Sequence, residues 1–269
     1  MLKTRIAIVG FFVFTIFGKR IRVRSIEKHQ DSRIKGTPRK AMNKILNIGH
    51  RGAKAYAPEN TLLAFQKAIA FGVDGIELDV HLSADLEVVV IHDDTINRTT
   101  NQNGTVSSMT LKDLKSATIE SDLEIPTLTE VLDLIDKNCI VNIELKGNHT
   151  GEAVSKIIEH YILEKNWHYD HFLVSSFDWV ALLDLHLLNS KIPLGVLTEY
   201  DLNLALAFAK FIAAKSIHPY YHLLTPEKTI ELQEEGFQVL TWTVNEPEDI
   251  QKIKSFHVNG IISDFPDRI

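Results

Sequence analysis

The chain has 269 residues, 45% of them hydrophobic and 24% charged, with a formal net charge of -6 and one cysteine. That composition belongs to a globular protein with room for a large core and excludes wholesale disorder and a disulfide-built scaffold; Cys139 alone can form no intrachain disulfide, in keeping with a reducing, cytoplasmic setting. Residues 1–44 carry 12 Lys/Arg against 2 acids, which leaves residues 45–269 at -16 and argues against nucleic acid as a partner.

Ile6 to Phe17 is an apolar run of 12 residues, shorter than the ~18 needed to span a bilayer. The basic stretch KRIRVR follows it at residues 19–24, and no small-residue cleavage site follows that, so a cleaved signal is disfavoured. The expectation is a basic tail, residues 1–44, lying outside the fold. Weak membrane association through residues 1–24 is the alternative, since an apolar run with a polybasic collar suits an anionic lipid surface.

From Lys44 onward, short apolar runs alternate with amphipathic stretches, the pattern of an α/β protein. Strands are expected at 45–50, 75–83, 87–93, 140–146, 171–177, 194–198, 215–219, 238–244 and 260–264. Helices are expected over Asn60–Phe71, ended by Gly72, and over Thr127–Lys137, opened by the capping-box pattern TLTE. Further helices are expected over Glu152–Lys165, Trp179–Leu188, Leu202–Ala213, Pro226–Glu235 and Pro247–Phe256, and a short one over LKDLKSA.

Nine strands exceed the eight of a (β/α)8 TIM barrel, and loop length identifies the extra one. Only three residues, Ala84, Asp85 and Leu86, separate the second run from the third, whereas a parallel crossover needs about a dozen. These two runs must form an antiparallel hairpin in which positions summing to about 170 face each other, folding His92 back towards the second strand. The expected architecture is a TIM barrel over 45–269, with a hairpin extension of strand two and a small insertion over about 94–126.

Four clusters fall at the C-terminal ends of early strands, where barrel active sites are built. They are His50-Arg51 in GHRGA, Glu77-x-Asp79, His92-Asp93 and Glu144-x-Lys146. A spacing of two on a strand puts both side chains on one face, here the lumen, while Ile76, Leu78, Val80, Ile143 and Leu145 face the helices. Glu77, Asp79 and Glu144 would repel one another in one barrel mouth unless protonated or bridged by a cation. Three carboxylates without cysteine suit a hard divalent ion, Mg2+ or Ca2+. Two histidines beside such an ion can act as general acid and base, and Arg51 and Lys146 offer positive charge to phosphate oxygens.

The series GHRGA, PENTLLAF, DGIELDV, EVVVIHD, RTT, VNIELKG, LTWTVN and GIISDFP resembles the glycerophosphodiester phosphodiesterase family, in order and spacing, over Ile45 to Ile269. The resemblance implies hydrolysis of a small-molecule glycerophosphodiester to sn-glycerol 3-phosphate and an alcohol. It implies His50 and His92 as the catalytic histidines and Glu77, Asp79 and Glu144 as ligands of Mg2+ or Ca2+. Arg51 and Lys146 match phosphate-contacting positions, and Trp242 matches a substrate-side aromatic. Glu59 and Asn60 match a motif expected to hold the first loop. Attack by the neighbouring glycerol hydroxyl through a cyclic phosphate is implied by the resemblance, and direct attack by water stays open beside it. The sequence shows one departure, Leu86-Glu87 after Asp85, where family members commonly carry glycine. The rival readings are a lysophospholipase D acting at a membrane and a non-catalytic phosphodiester-binding barrel. The alcohol group and the oligomeric state stay open.

Overall fold

The computed structural model describes residues 44–269; the expectations for residues 1–43 lie outside the described residues. The elements run in chain order β1 (Leu46–Gly49), α1 (Leu62–Ala70), β2 (Gly75–Leu82), β3 (Val88–Val90), α2 (Leu111–Ser116), β4 (Thr118–Ile119) and β5 (Leu123–Glu124). They continue with α3 (Leu128–Ile135), β6 (Ile140–Leu145), α4 (Thr150–Glu164), β7 (Phe172–Ser176), α5 (Trp179–Leu188), β8 (Leu194–Thr198) and α6 (Leu202–Phe211). The last are β9 (Ser216–Pro219), α7 (Pro226–Glu234), β10 (Gln238–Thr241), α8 (Pro247–Ser255) and β11 (Gly260–Ser263). Among the described residues, no helix is long and apolar enough to cross a membrane.

Eight parallel strands follow the order β1-β11-β10-β9-β8-β7-β6-β2, and the pairing of β1 with β2 closes the barrel. β3 lies antiparallel on β2 with Val80 opposite Val90, the register the three-residue turn implied. β2 serves two neighbours on one edge. Its first residues pair with β1 through Ile48–Gly75 and Gly49–Ile76, and its last three pair with β3. β1 stops at Gly49 because the chain turns there on Arg51 (φ 51) and Gly52 (φ 83). A Cβ on Gly52 would lie 2.7 Å from the Ala64 backbone, so only glycine fits this turn. The edge that β1 vacates is the one β3 takes.

Two apolar layers hold this frame. Ile76, Leu78, Val80 and Ile143 are fully buried against the helices, in the main core; each such side chain contributes about 1.5–3 kcal/mol. Ile48, Leu173, Leu240 and Ile262 form a smaller cluster, packed by Leu46, Ile140 and Trp242. Their positions alternate with those of the outer core along the strands, which makes this cluster the apolar filling of the barrel. The insertion has its own centre, Val89, Ile91, Ile96, Val106, Leu114, Ala117, Ile119 and Ile125, and it contains the β4–β5 hairpin, whose two-residue strands carry too little periodicity to read from sequence.

Four expected helix boundaries move by two residues, each for a local reason. α1 begins at Leu62 rather than Asn60, because Asn60 is left-handed (φ 56) and Thr61 is the N-cap, accepting from the Ala64 N–H at 3.2 Å. α3 carries the expected Thr127–Glu130 capping box but ends at Ile135, since Asp136 and Lys137 are left-handed (φ 39 and 67). α4 begins at Thr150 rather than Glu152, directly behind left-handed His149 (φ 60). α6 ends at Phe211 ahead of left-handed Ala213 (φ 49).

Leu86 sits in the hairpin turn at φ 66 and is 72% exposed. A left-handed branched residue stores strain that glycine does not, so Leu86→Gly is expected to raise stability by about 0.5–1 kcal/mol in urea denaturation, and Leu86→Val to lower it by a similar amount.

Candidate active site

The C-terminal ends of the early strands converge as their lumen-facing alternation requires. His50, Arg51, Glu77, His92, Glu144, Lys146 and Trp242 all line one pocket. Asp79 is 1% exposed and stands just behind it, beside Glu144 in the β2–β6 register. All eight residues singled out in the sequence are therefore brought to one end of the barrel.

Glu77, Asp79 and Glu144 each offer an oxygen within 4.8 Å of the others. Burial first, and then the charges of Asp79 and Glu144, hold the Glu77 carboxyl well above the usual carboxylate range. Burial and the Asp79 charge push Glu144 up to about 7. The surrounding donors compensate only in part. The Arg51 backbone N–H donates to Glu77 Oε2 at 2.8 Å and the Lys146 ammonium to Glu144 Oε1 at 2.9 Å. Asn60 Nδ2 donates to Asp79 Oδ2 at 2.8 Å. Glu77 Oε1 is buried with no hydrogen-bond partner among the described residues. An orphaned buried carboxylate oxygen inside a three-carboxylate cluster fits a hard divalent cation with oxygen ligands.

Each histidine is held by an aspartate. His50 Nδ1 lies 2.6 Å from Asp264 Oδ1, and Asp264 Oδ2 accepts from Asn245 Nδ2 at 2.9 Å. His92 Nδ1 lies 2.7 Å from Asp93 Oδ1, and Arg98 grips Asp93 through Nε at 2.7 Å and Nη2 at 3.0 Å. Hydrogen bonds from Arg98 hold Asp93 below the usual carboxylate range; burial raises Asp264, but the hydrogen bond and charge of His50, the Lys54 charge and the Asn245 hydrogen bond together bring it below that range too. Ionised aspartates only accept, so both Nδ1 atoms carry their proton and both Nε2 atoms are free. His50 Nε2 lies 3.9 Å from Glu77 Oε2. Burial is the largest influence on both rings and lowers the pKa of each, against the opposing pull of the neighbouring aspartates.

Glu59 ties the two halves together. It accepts from Arg51 Nη1 at 2.8 Å and from Arg98 Nη2 at 2.7 Å. Burial would raise its pKa, but these two guanidinium groups bring it down to about 2. Glu59 and Asn60 therefore do more than hold the first loop, since one organises both arginines and the other orients Asp79. Arg51 and Lys146, expected to face phosphate, are paired with these carboxylates, with Arg51 Nε also 3.4 Å from Asp79 Oδ2. Trp242 donates its indole N–H to the His218 carbonyl at 2.8 Å. The sequence reading assigned nothing to Asp264, Asn245 or Arg98. Asp264 was reachable, because it continues the lumen alternation two residues after Ile262; Arg98 lies in a loop with no periodicity to place it.

The model of the Glycerophosphoryl diester phosphodiesterase family matches residues 50–268. A glycerophosphodiester phosphodiesterase of Caldanaerobacter subterraneus subsp. tengcongensis is 37% identical over 241 residues, 84% of this chain and 96% of that one. One of Bacillus altitudinis is 38% identical over 243 residues, with the same two shares, 84% and 96%. Among solved structures, an Oleispira antarctica phosphodiesterase in complex with the product sn-glycerol-3-phosphate has a TM-score of 0.75 and 28% identity, covering 82% of this chain and 94% of that one.

The raised Glu144 pKa sets a sign. A carboxyl that is easier to protonate in the folded state contributes stability that is full below its ordinary pKa and lost as pH rises from about 4.5 to about 7. In EDTA, Glu144→Gln is therefore expected to exceed wild type in stability at pH 8 by on the order of 2 kcal/mol, with the gap closing at pH 4.5, as read by urea denaturation at both values.

Proposed function

The chain belongs to the glycerophosphoryl diester phosphodiesterase family, and on that premise we propose that this glycerophosphodiester phosphodiesterase works with a divalent cation, Mg2+ or Ca2+, held by Glu77, Asp79 and Glu144, and with His50 and His92 as its proton-transfer pair. The observation that carries the reading is the convergence of two aspartate-oriented imidazoles and a cluster of three desolvated carboxylates at one end of the barrel, with Glu77 and Glu144 lining the pocket and Asp79 behind them. A bound cation would offset negative charge on the phosphate oxygens and acidify a hydroxyl or water at the site.

The chain's own groups do the rest. One neutral imidazole takes the proton of the attacking hydroxyl through its free Nε2 as the new P–O bond forms. The other, protonated, gives its proton to the alkoxide as the bond from phosphorus to the alcohol breaks. Attack by water gives sn-glycerol 3-phosphate and the free alcohol directly; attack by the neighbouring glycerol hydroxyl releases the alcohol and leaves a cyclic phosphate, which one water then opens to sn-glycerol 3-phosphate with the two histidines exchanging roles. Asp264 and Asp93 keep each ring in the tautomer that aims Nε2 inward and stabilise the imidazolium when it forms. Arg51 and Lys146 stand close enough to the carboxylates to exchange those contacts for phosphate oxygens, adding charge where the pentavalent transition state accumulates it. Glu59 holds the Arg51 guanidinium in place for that exchange.

His50→Ala and His92→Ala are each expected to lose about 100-fold or more in kcat for glycerophosphocholine, measured by release of glycerol 3-phosphate. Near-wild-type turnover in either variant would remove that histidine from the mechanism. Asp264→Asn should lower kcat by at least about tenfold with KM nearly unchanged, because it disturbs the tautomer rather than binding. EDTA should abolish turnover, and Mg2+ or Ca2+ should restore it.

A further inference from the structure

The pocket has two chemically different sides. The ends of β1, β2 and β6, with the β2–β3 hairpin, supply His50, Arg51, Glu77, His92, Glu144 and Lys146. The ends of β7, β8 and β10 supply Phe177, Leu197, Glu199 and Trp242. This second side is a continuous aromatic surface. Phe177 and Trp242 pack edge to face at 5.3 Å, and Tyr220 extends the surface beside Trp242 at 5.5 Å. The Trp242 N–H is spent on the His218 carbonyl, so the indole offers the pocket ring carbon rather than a donor. Phe177 keeps 41% of its surface exposed, with the Lys146 ammonium 5.8 Å from its ring centroid at the boundary with the charged side; among the described residues no cation stands over Trp242, so the indole is the ring left for a ligand cation. Glu199, one residue beyond β8, brings an exposed carboxylate to the same wall, and among the described residues it forms no ion pair.

An anionic rim residue without a cation, set beside ring faces, is complementary to one kind of group. The faces of Trp and Phe attract cations through their quadrupole, most of all weakly hydrated ammonium groups, and a carboxylate adds charge attraction. A vicinal diol gains little from such a wall and is better served by the hydrogen-bonding side. We propose that this wall is the subsite for the alcohol portion of the diester and that Glu199 selects alcohols bearing an ammonium group, such as choline or ethanolamine, over neutral polyols. The assignment rests on the reaction proposed above, with phosphate and glycerol on the charged side and the leaving alcohol on the aromatic side.

The test compares kcat/KM for glycerophosphocholine with kcat/KM for glycerophosphoglycerol, two diesters that share the glycerol 3-phosphate product and differ in the charge of the alcohol. Wild type should favour the choline ester, and Glu199→Gln should cut the ratio by about fivefold, the scale of an exposed ion pair acting with a cation–π contact. Glu199→Lys should bring the ratio below one, and raising the ionic strength should shrink the wild-type preference. An unchanged ratio in both variants, with both esters still hydrolysed, overturns the subsite and leaves the reaction standing. Hydrolysis of neither ester by wild type overturns the reaction, and the subsite with it.

Discussion

Three carboxylates taken out of water at one point between two neighbouring strands set the terms for the rest of this molecule. Asp79 and Glu144 are side by side in the β2–β6 register, with Glu77 one turn of the pleat below. Nothing in their immediate pairing favours that arrangement; burial and mutual repulsion both oppose it, as the raised Glu77 and Glu144 pKa values record. It persists because the opposite faces of the same strands are among the most buried apolar surfaces in the chain. The alternation that drives Ile76, Leu78, Val80 and Ile143 under the helices drives the acids inward. Packing outside the barrel thus sustains an electrostatic cost inside it, and that cost is what a divalent cation would relieve.

The rest of the site is arranged around this cluster by one turn. At Arg51 and Gly52 the chain leaves β1 abruptly, and two consequences follow from the same backbone. The Arg51 N–H is delivered to Glu77. The upper edge of β2 is left unpaired, and the hairpin strand β3 fills it, carrying His92 to the pocket. His50 and His92 are 42 positions apart in the chain, yet both reach the same carboxylates because one strand ends early and another begins where it ended.

A web of ion pairs then couples the two histidines. It runs from Asp264 past Lys54 to Glu59, and from Glu59 through Arg98 to Asp93. Glu59 is the hub, and its low pKa reflects two guanidinium groups converging on one partly buried carboxylate. The insertion contributes through Arg98 and is otherwise a small body with its own apolar centre. The opposite wall of the pocket carries no such web. Its aromatic side chains and the single Glu199 carboxylate come from later strands, so barrel order itself divides the pocket into a charged side and an aromatic one.

The sequence by itself determined the barrel, the hairpin and the metal-site candidates, because those rest on local rules: apolar alternation with period two, helix caps, and a connection too short for a crossover. The E-x-D and E-x-K spacings named the lumen faces as soon as the strands were recognised. The basic character of residues 1–44 and the acidic character of the remainder were equally plain. Only the tertiary structure decided which partners complete the site. Asp264 meets His50 across 214 positions, and Arg98 meets Glu59 across 39. Neither contact leaves a periodic trace, since each depends on the barrel closing on itself and on the insertion folding back over the first loop. Asn60 shows the difference in one residue. Local pattern made it the start of a helix, whereas the need of a buried Asp79 for a donor pulls it into a left-handed conformation and moves that start to Leu62.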